Sequence, residues 1–447
     1  MSRRTTYGLL AITALLYLFL GWRYAVQTPR WQVPDEPAHY NYIRQLAENQ
    51  RFPVIEMGDW DSEYQQQLLD SGFDPQVTGE IHRIEYEDHQ PPLYYIFGAI
   101  FYCLSDGDLT TLRLYSLLLG LGAVLAAFFV VNQLFPAPIA LITAAVVAFI
   151  PQNLSMLSGV NNDAMAELVA GWTFYTIVWY LRQDGEARLR DVIFPGVMVG
   201  IAMLTKNTIY FVAGIAGLAI LLKWRRMGWN WQTGAKQLIV FLIPALLMGS
   251  LWWVRNLDVY GGTDFLGLQR HDEVAAGQLQ TDDYIRNHLN GSKTQYFKNM
   301  LDETFHSFWG QFGWMAVPMA TRVYRILLLV CIAALTGIAI YGRGEGWIKS
   351  LDSVQRETLL LFVLSMLLVL AAYILYNLQF KQFQGRYLYP ALIPFAFWLA
   401  VGITGWTNLA AIRFAPLRWG FVPMILVMAI FAWYALHTYI GTLPNPQ

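Results

Sequence analysis

Eleven apolar stretches, separated by polar and charged clusters, set the rhythm of the chain. They run near 7–26, 112–134, 138–157, 163–181, 192–205, 207–224, 238–259, 323–341, 358–376, 387–405 and 420–439. A helix needs roughly 20 such residues to cross the hydrocarbon core of a bilayer. Only 192–205 is short, and it draws on residues at either side. The first stretch lacks a small-residue cleavage site, so it reads as a retained membrane helix rather than a signal peptide. No internal repeat and no low-complexity segment is visible.

A twelfth apolar segment, PPLYYIFGAIFYCLS at 91–105, decides the topology. It is too short for an ordinary span. If it crossed, the basic loops RQDGEARLR (182–190), WRRMGWNWQTGAK (224–236) and IRFAPLR (412–418) would all face outward, against the positive-inside rule. Lying along the interface, it leaves those loops in the cytoplasm with Arg3 and Arg4. The expectation is an all-α polytopic membrane protein of about eleven spans, one domain over 1–440 with a short external tail, 441–447. Its two large external loops are 27–111, with juxtamembrane helices, and 260–322.

Composition agrees: 56% of the residues are hydrophobic, 15% aromatic and 14% charged, which excludes an ordinary soluble enzyme. A net charge of −1 and the absence of a basic run give no support for nucleic-acid binding. Cys103 and Cys331 have neither disulfide nor zinc spacing.

Charge is distributed unevenly. Between 27 and 90 four arginines (30, 44, 51 and 83) face thirteen Asp and Glu. On the same expected side, Lys206, Lys381 and Arg386 are the only basic residues of the short loops. Cations on the disfavoured side call for a reason, and anion binding is one.

The acidic phrase VPDEPAHY puts Asp35 and Glu36 between two prolines at the start of a short amphipathic helix. Asp35 reads as a helix cap and equally as a general base held at the membrane surface. In HQPPLYY, His89 fits an interfacial histidine and Tyr94 and Tyr95 an aromatic belt. Asn161, Asn162 and Asp163 read as a helix cap, or as amides and a carboxylate that hydrogen-bond a sugar. Lys206 reads as a snorkelling cation or as a phosphate ligand at headgroup depth. Arg113, Arg255 and Arg386, the last after Gln384, offer guanidinium forks that suit phosphate oxygens.

Together these residues describe transfer from a sugar carried on a polyprenyl phosphate. A carboxylate takes the acceptor proton, and cations stabilise the departing phosphate. No general acid is needed, unlike a glycosidase with its two carboxyls.

The phrases PDEPAHY, HQPPLYY, the Arg113 span entry, NND, LTKN and QGRYLYP resemble the C-type (GT-C) integral-membrane glycosyltransferases, over roughly residues 7–405. The nearest lineage is that of the protein O-mannosyltransferases and lipid A aminoarabinose transferases. FWGQFGWM (308–315) and QGRYLYP look like a bacterial, largely uncharacterised subfamily. The resemblance implies inverting transfer at the outer face of the cytoplasmic membrane. It implies a catalytic Asp35 followed by Glu36, Lys206 on the donor phosphate and Asp163 at the start of the fourth span. His39 departs from the pattern: it lies three residues after Glu36, where the mannosyltransferases place a His two after. The absence of a further C-terminal domain leans toward a lipid or glycan acceptor rather than a protein. His39, His89, Asn161, Asn162, Asp163 and Gln384 are expected to contact substrate, and no cofactor or metal is called for.

Two rival classes remain open. One is a transferase using a pyrophosphate-linked donor, with a divalent cation on Asp35, Glu36 and Asp163. The other is a flippase for lipid-linked sugar, although such proteins often show paired repeats and polar residues at the bilayer midplane.

Overall fold

Each expected apolar stretch forms helix in the computed structural model, which describes residues 1–185, 187–344 and 350–445. Glu186 of the 182–190 loop and the last two residues of the expected tail lie outside the described residues. Among the described residues, eight helices are long and apolar enough to cross a membrane, or nine if a bent pair counts as one. Eleven spans are therefore not reached on length and apolarity. Asp163–Arg182 carries polar residues along its length, and Leu189–Met203 has only 15.

The bent pair shows how sequence sets shape. The 138–157 stretch begins after Pro136 and breaks at Ile150, giving Ala137–Phe149 and Pro151–Leu157 at 66°. A proline at 151 cannot donate into the ladder of the preceding turn and starts a new helix instead. Every residue from Ile139 to Phe149 is buried, so this helix, apolar all round, is the centre of the bundle. At its flank, Thr321–Gly344 and Leu392–Arg413 pack backbone to backbone. A Cβ on Gly402 would stand 2.2 Å from the carbonyl oxygen of Ala334, and one on Gly337 would stand 2.1 Å from that of Gly402. Small residues permit this approach where apolar lipid offers no other drive to pack.

Two segments cover one end of the bundle. The first contains Glu36–Asn49, packed against Leu93–Ser105. The latter, 13 residues long, spans about 20 Å against a hydrocarbon core of about 30 Å. It buries Tyr94, Tyr95 and Gly98 and exposes Ile96, Phe97, Ile100 and Leu104. The second segment contains Leu268–Val274, Thr281–His288 and Lys293–Trp309, then a two-residue hairpin pairing Gln311–Phe312 with Val317–Pro318.

Candidate active site

The site is built on an elbow between the first membrane helix and Glu36–Asn49. Arg113, near the start of Leu109–Asn132, donates to the carbonyls of Ala25 (2.8 Å), Thr28 (2.6 Å) and Pro29 (3.0 Å), the unpaired end of the first helix. Its other face grips Glu36 in a two-pronged pair, Nε to Oε1 at 2.8 Å and a terminal nitrogen to Oε2 at 2.7 Å. The amides of Trp31 and Val160 each add a bond of 3.1 Å to Glu36, which is 0% exposed. This bears on two expectations. Glu36 has no oxygen turned outward to share catalysis, and Arg113 has no donor left for a phosphate. A buried, fully satisfied pair fastens the chain instead.

Fastening Glu36 fixes its neighbour. Asp35 sits in left-handed backbone, φ 65°, a conformation that Asp tolerates better than most residues. Its side chain makes no capping bond to the helix that follows, so the cap reading does not hold. Instead Oδ1 accepts from the Tyr86 hydroxyl at 2.8 Å and Oδ2 from Arg386. The side chain is 20% exposed, where its partner Arg386 is 6%. Burial pushes the Asp35 carboxyl up, but Arg386, His39 and the two hydrogen bonds outweigh it and hold it below the usual carboxylate range.

Arg386 is aimed from behind. Gln384 Oε1 accepts from its Nε at 2.8 Å, and the guanidinium lies over the Tyr387 ring at 5.3 Å. Gly385 between them touches the backbone of Phe308: a Cβ there would stand 2.3 Å from the Phe308 nitrogen. Its amide donates to Ser307 Oγ at 2.8 Å. The phrases FWGQFGWM and QGRYLYP thus meet in space, and only glycine fits at the crossing.

The second cation centre lies at the start of Asp163–Arg182. Lys206 donates to Asn162 Oδ1 at 2.6 Å and to Asp163 Oδ1 at 2.5 Å. Asn161 Oδ1 accepts from the Asp163 amide at 2.9 Å, while its Nδ2 donates to the carbonyl of Pro34, next to Asp35, at 3.4 Å. Asn162 Nδ2 donates to the Tyr95 hydroxyl at 3.2 Å, and that hydroxyl bonds His39 Nδ1 at 2.8 Å. His39 is buried between the two centres and feels the charges of Asp35, Asp163 and Lys206; burial, the largest influence, holds its pKa below the ordinary histidine value.

Two expected residues stand apart. Arg255 donates to the carbonyl of Pro53, to Asn256 Oδ1 at 3.0 Å and to the Tyr260 hydroxyl at 3.2 Å, and lies over the Trp252 ring at 4.6 Å. It clamps the 53–55 segment to the end of Trp231–Tyr260. A cavity of about 570 Å³ opens beside this clamp, lined by Ile55, Glu56, Tyr260, Asp264, Arg270 and Glu273 among others. None of the Asp35 cluster lines it. His89 is buried, donates from Nδ1 to the carbonyl of Tyr86 at 3.1 Å and rests 4.5 Å from the His271 ring, bracing the tyrosine that holds Asp35.

The structure therefore unites Asp35, His39, Asn162, Asp163, Lys206, Gln384 and Arg386, with Asn161 and His89 as supports, and leaves out Glu36, Arg113 and Arg255. Sequence reasoning missed Tyr86 and read Tyr95 as a membrane belt; nothing in a tyrosine-rich stretch separates a hydrogen-bonding ring from an interfacial one. Among the described residues, no group of three or more His, Cys, Asp and Glu is placed to hold a metal. Asp35, Glu36 and Asp163 do not converge on one point, since each faces its own cation.

Residues 89–253 match the family described as dolichyl-phosphate-mannose-protein mannosyltransferase. The fold is similar to that of ArnT from Cupriavidus metallidurans bound to undecaprenyl phosphate. That match has a TM-score of 0.50 and 14% identity and covers 98% of this chain and 74% of the other. The chain shares the fold of ArnT. An oligosaccharyltransferase of Archaeoglobus fulgidus tethered to an acceptor peptide gives a TM-score of 0.48 at 14% identity, over 99% of this chain and 55% of that one. No curated protein matches the chain in sequence. The stretch matched by the family model, 89–253, carries His89, Tyr95, Arg113, Asn161 to Asp163 and Lys206. Asp35 and Arg386 lie beyond it on either side and join it only through the fold.

Proposed function

We propose that the chain moves a sugar from a polyprenyl-phosphate donor to a hydroxyl of a lipid or glycan acceptor, with inversion, at the outer face of a cytoplasmic membrane. One observation carries this reading: Asp35 is held in an unusual backbone conformation, makes no capping bond, and keeps a part-exposed side chain while its neighbour Glu36 is sealed. A base needs this combination of fixed position and access from outside. Lys206 and Arg386 are the cations for the donor phosphate, and the undecaprenyl phosphate bound to the structurally similar ArnT supports that chemistry. The outward orientation rests on the basic ends of the opposite loops, Arg225, Arg226, Arg413 and Arg418.

In the reaction the acceptor oxygen loses its proton to Asp35 and bonds the anomeric carbon. The bond from that carbon to the phosphate oxygen breaks on the opposite side, and its electron pair leaves with the phosphate. Two cations lower the charge that develops there, so the leaving group needs no proton. Glu36 and Arg113 hold the frame.

Purified protein incubated with a panel of polyprenyl-phosphate sugars, with release of the bare lipid phosphate followed over time, tests the reading. Release from at least one such donor is expected. Turnover confined to pyrophosphate-linked sugars would replace the donor assignment, and none from either class would sink it.

A further inference from the structure

Lys206 starts a chain of hydrogen bonds whose direction chemistry fixes at every link. An ammonium only donates, so the Asn162 oxygen at 2.6 Å must accept from it, and the amide nitrogen of Asn162 must face the other way. That nitrogen donates to the Tyr95 hydroxyl at 3.2 Å. Tyr95 is 0% exposed, and among the described residues its hydroxyl meets one further group, His39 Nδ1 at 2.8 Å. Its hydrogen goes there, so Nδ1 must present a lone pair. The Tyr95 ring is held in place, flat against the Tyr42 ring with centroids 3.6 Å apart at 6°.

A ring with a bare Nδ1 is neutral and carries its hydrogen on Nε2. A charged ring would turn an N–H toward Tyr95 and leave a buried hydroxyl hydrogen without an acceptor, which is costly. Burial of His39, 1% exposed, opposes the charge as well. Nε2 has no partner among the described residues and is not one of the sealed orphan atoms. The residue stands between base and cation: its amide donates to the carbonyl of Asp35 at 3.1 Å, and its side chain ends the chain from Lys206. Histidine is the side chain best suited to take a proton near neutral pH. Here both ring nitrogens are occupied, one by the Tyr95 hydroxyl and the other by hydrogen. We infer that His39 is a neutral donor rather than a base, its Nε2–H bonding an oxygen of the lipid-phosphate sugar, and that Tyr95 is the positioning residue that fixes this tautomer. A neutral ring suits the place, because a charged one a turn away from Asp35 would stabilise the carboxylate and weaken it as a base. The tautomer rests on the network alone; the identity of the oxygen rests on the lipid-phosphate reading above.

Two substitutions separate the ring nitrogens. His39→Gln sets an N–H near the place of Nε2 and gives up the bond to Tyr95. His39→Asn sets an oxygen near the place of Nδ1, keeps that bond and has no N–H reaching outward. Release of lipid phosphate from undecaprenyl-phosphate glucose, mannose or amino-pentose should be faster in His39→Gln than in His39→Asn by about tenfold or more, the worth of a hydrogen bond to a charged group. A mere brace for Tyr95 gives the opposite order, and that order or equal rates overturns the inference. Binding then assigns the oxygen: loss by His39→Asn for bare undecaprenyl phosphate places it on the phosphate, loss for the glycosylated lipid alone places it on the sugar, and loss for neither overturns the contact. The tautomer is read directly by nitrogen NMR of the full chain carrying isotope-labelled histidine, the His39 signals being those absent from His39→Gln. At neutral pH the wild type should show a bare Nδ1 and a protonated Nε2, and Tyr95→Phe, which keeps the ring and loses the hydroxyl, should show both tautomers. Hydrogen on Nδ1 in the wild type, or an unchanged signal in Tyr95→Phe, overturns the assignment. A wild type that turns over no polyprenyl-phosphate sugar defeats the lipid-phosphate reading, and the tautomer then stands or falls by NMR alone.

Discussion

Arg386 donates to the carboxylate of Asp35 across 351 residues of sequence. The bond ties the first polar segment of the chain to the loop before its penultimate membrane helix. It also sets a competition at the centre of the proposed reaction. The cation assigned to the phosphate is the one that neutralises the base, and Lys206 stands in the same relation to Asp163. A phosphate drawing Arg386 toward itself would release Asp35 when the acceptor arrives.

Replacing Asp35 with Asn separates base from support. Asn keeps the size, accepts from Tyr86 or Arg386, and tolerates left-handed backbone as Asp does. Transfer should fall by about 10²–10⁴-fold, the usual contribution of a general base, while the unfolding temperature changes little. Near-normal release of lipid phosphate by Asp35→Asn would show that no proton passes to this carboxylate.

Glu36→Gln should behave in the opposite way. Removing one charge from a buried pair strands the other and typically costs about 3–5 kcal/mol. A marked drop in unfolding temperature is expected, and Arg113→Gln should match it. Whatever Glu36→Gln protein remains folded should turn over donor at close to the normal rate per molecule. A well-folded but inactive Glu36→Gln would return Glu36 to the chemistry.

The helices were legible because apolar length and bounding polar clusters declare them, and the Leu93–Ser105 helix has the short length, 13 residues, that the sequence predicts. The span count was less so. Membrane crossing is judged from apolarity, and Asp163–Arg182 spends part of its apolar character on the polar residues of the site. Asp35, Lys206 and Arg386 were legible as charges out of place. The sealing of Glu36 and Arg113 was not legible, because a sealed ion pair and an open one use the same two residue types, and only burial tells them apart. Tyr86 gave no signal: its bond to Asp35 comes from where a tied loop points its side chain.

The orientation has a direct check. In a chain with Cys103 and Cys331 replaced, single cysteines at Gln232 and Asn445 should respond oppositely to a membrane-impermeant maleimide applied to intact cells. Position 445 should label and position 232 should not. Labelling at 232 from outside would put the Asp35 cluster on the cytoplasmic face.

The cations should divide by position. Lys206→Ala should weaken binding of undecaprenyl phosphate by about tenfold or more, as expected for a charge-assisted contact. Arg255→Ala should leave that affinity within about twofold, because Arg255 is spent on Pro53, Asn256 and Tyr260. Its effect should appear instead as faster proteolysis in the 50–57 segment. If Arg255→Ala alone loses the lipid, the phosphate site lies by the 570 Å³ cavity rather than by Asp35.

Removing the charge of Arg386 should move the acid limb of the pH profile. Asp35 lies below the usual carboxylate range because Arg386 and His39 outweigh its burial. With Arg386→Gln the largest of those opposing charges is gone and burial remains, so the carboxyl should rise. The direction follows from linkage. A group whose folded pKa is depressed adds stability above its unfolded pKa, and that stability is lost as pH falls through the folded value. The wild type should thus keep Asp35 ionised further into acid than a free aspartate, and Arg386→Gln should lose both that stability and the active base at a higher pH. The profile of kcat/KM reports the free enzyme, so the acid midpoint can be read even though donor binding is weaker in the variant. An acid midpoint in Arg386→Gln equal to that of the wild type, with Asp35→Asn removing the limb altogether, would leave Asp35 as the base but show that Arg386 does not govern it.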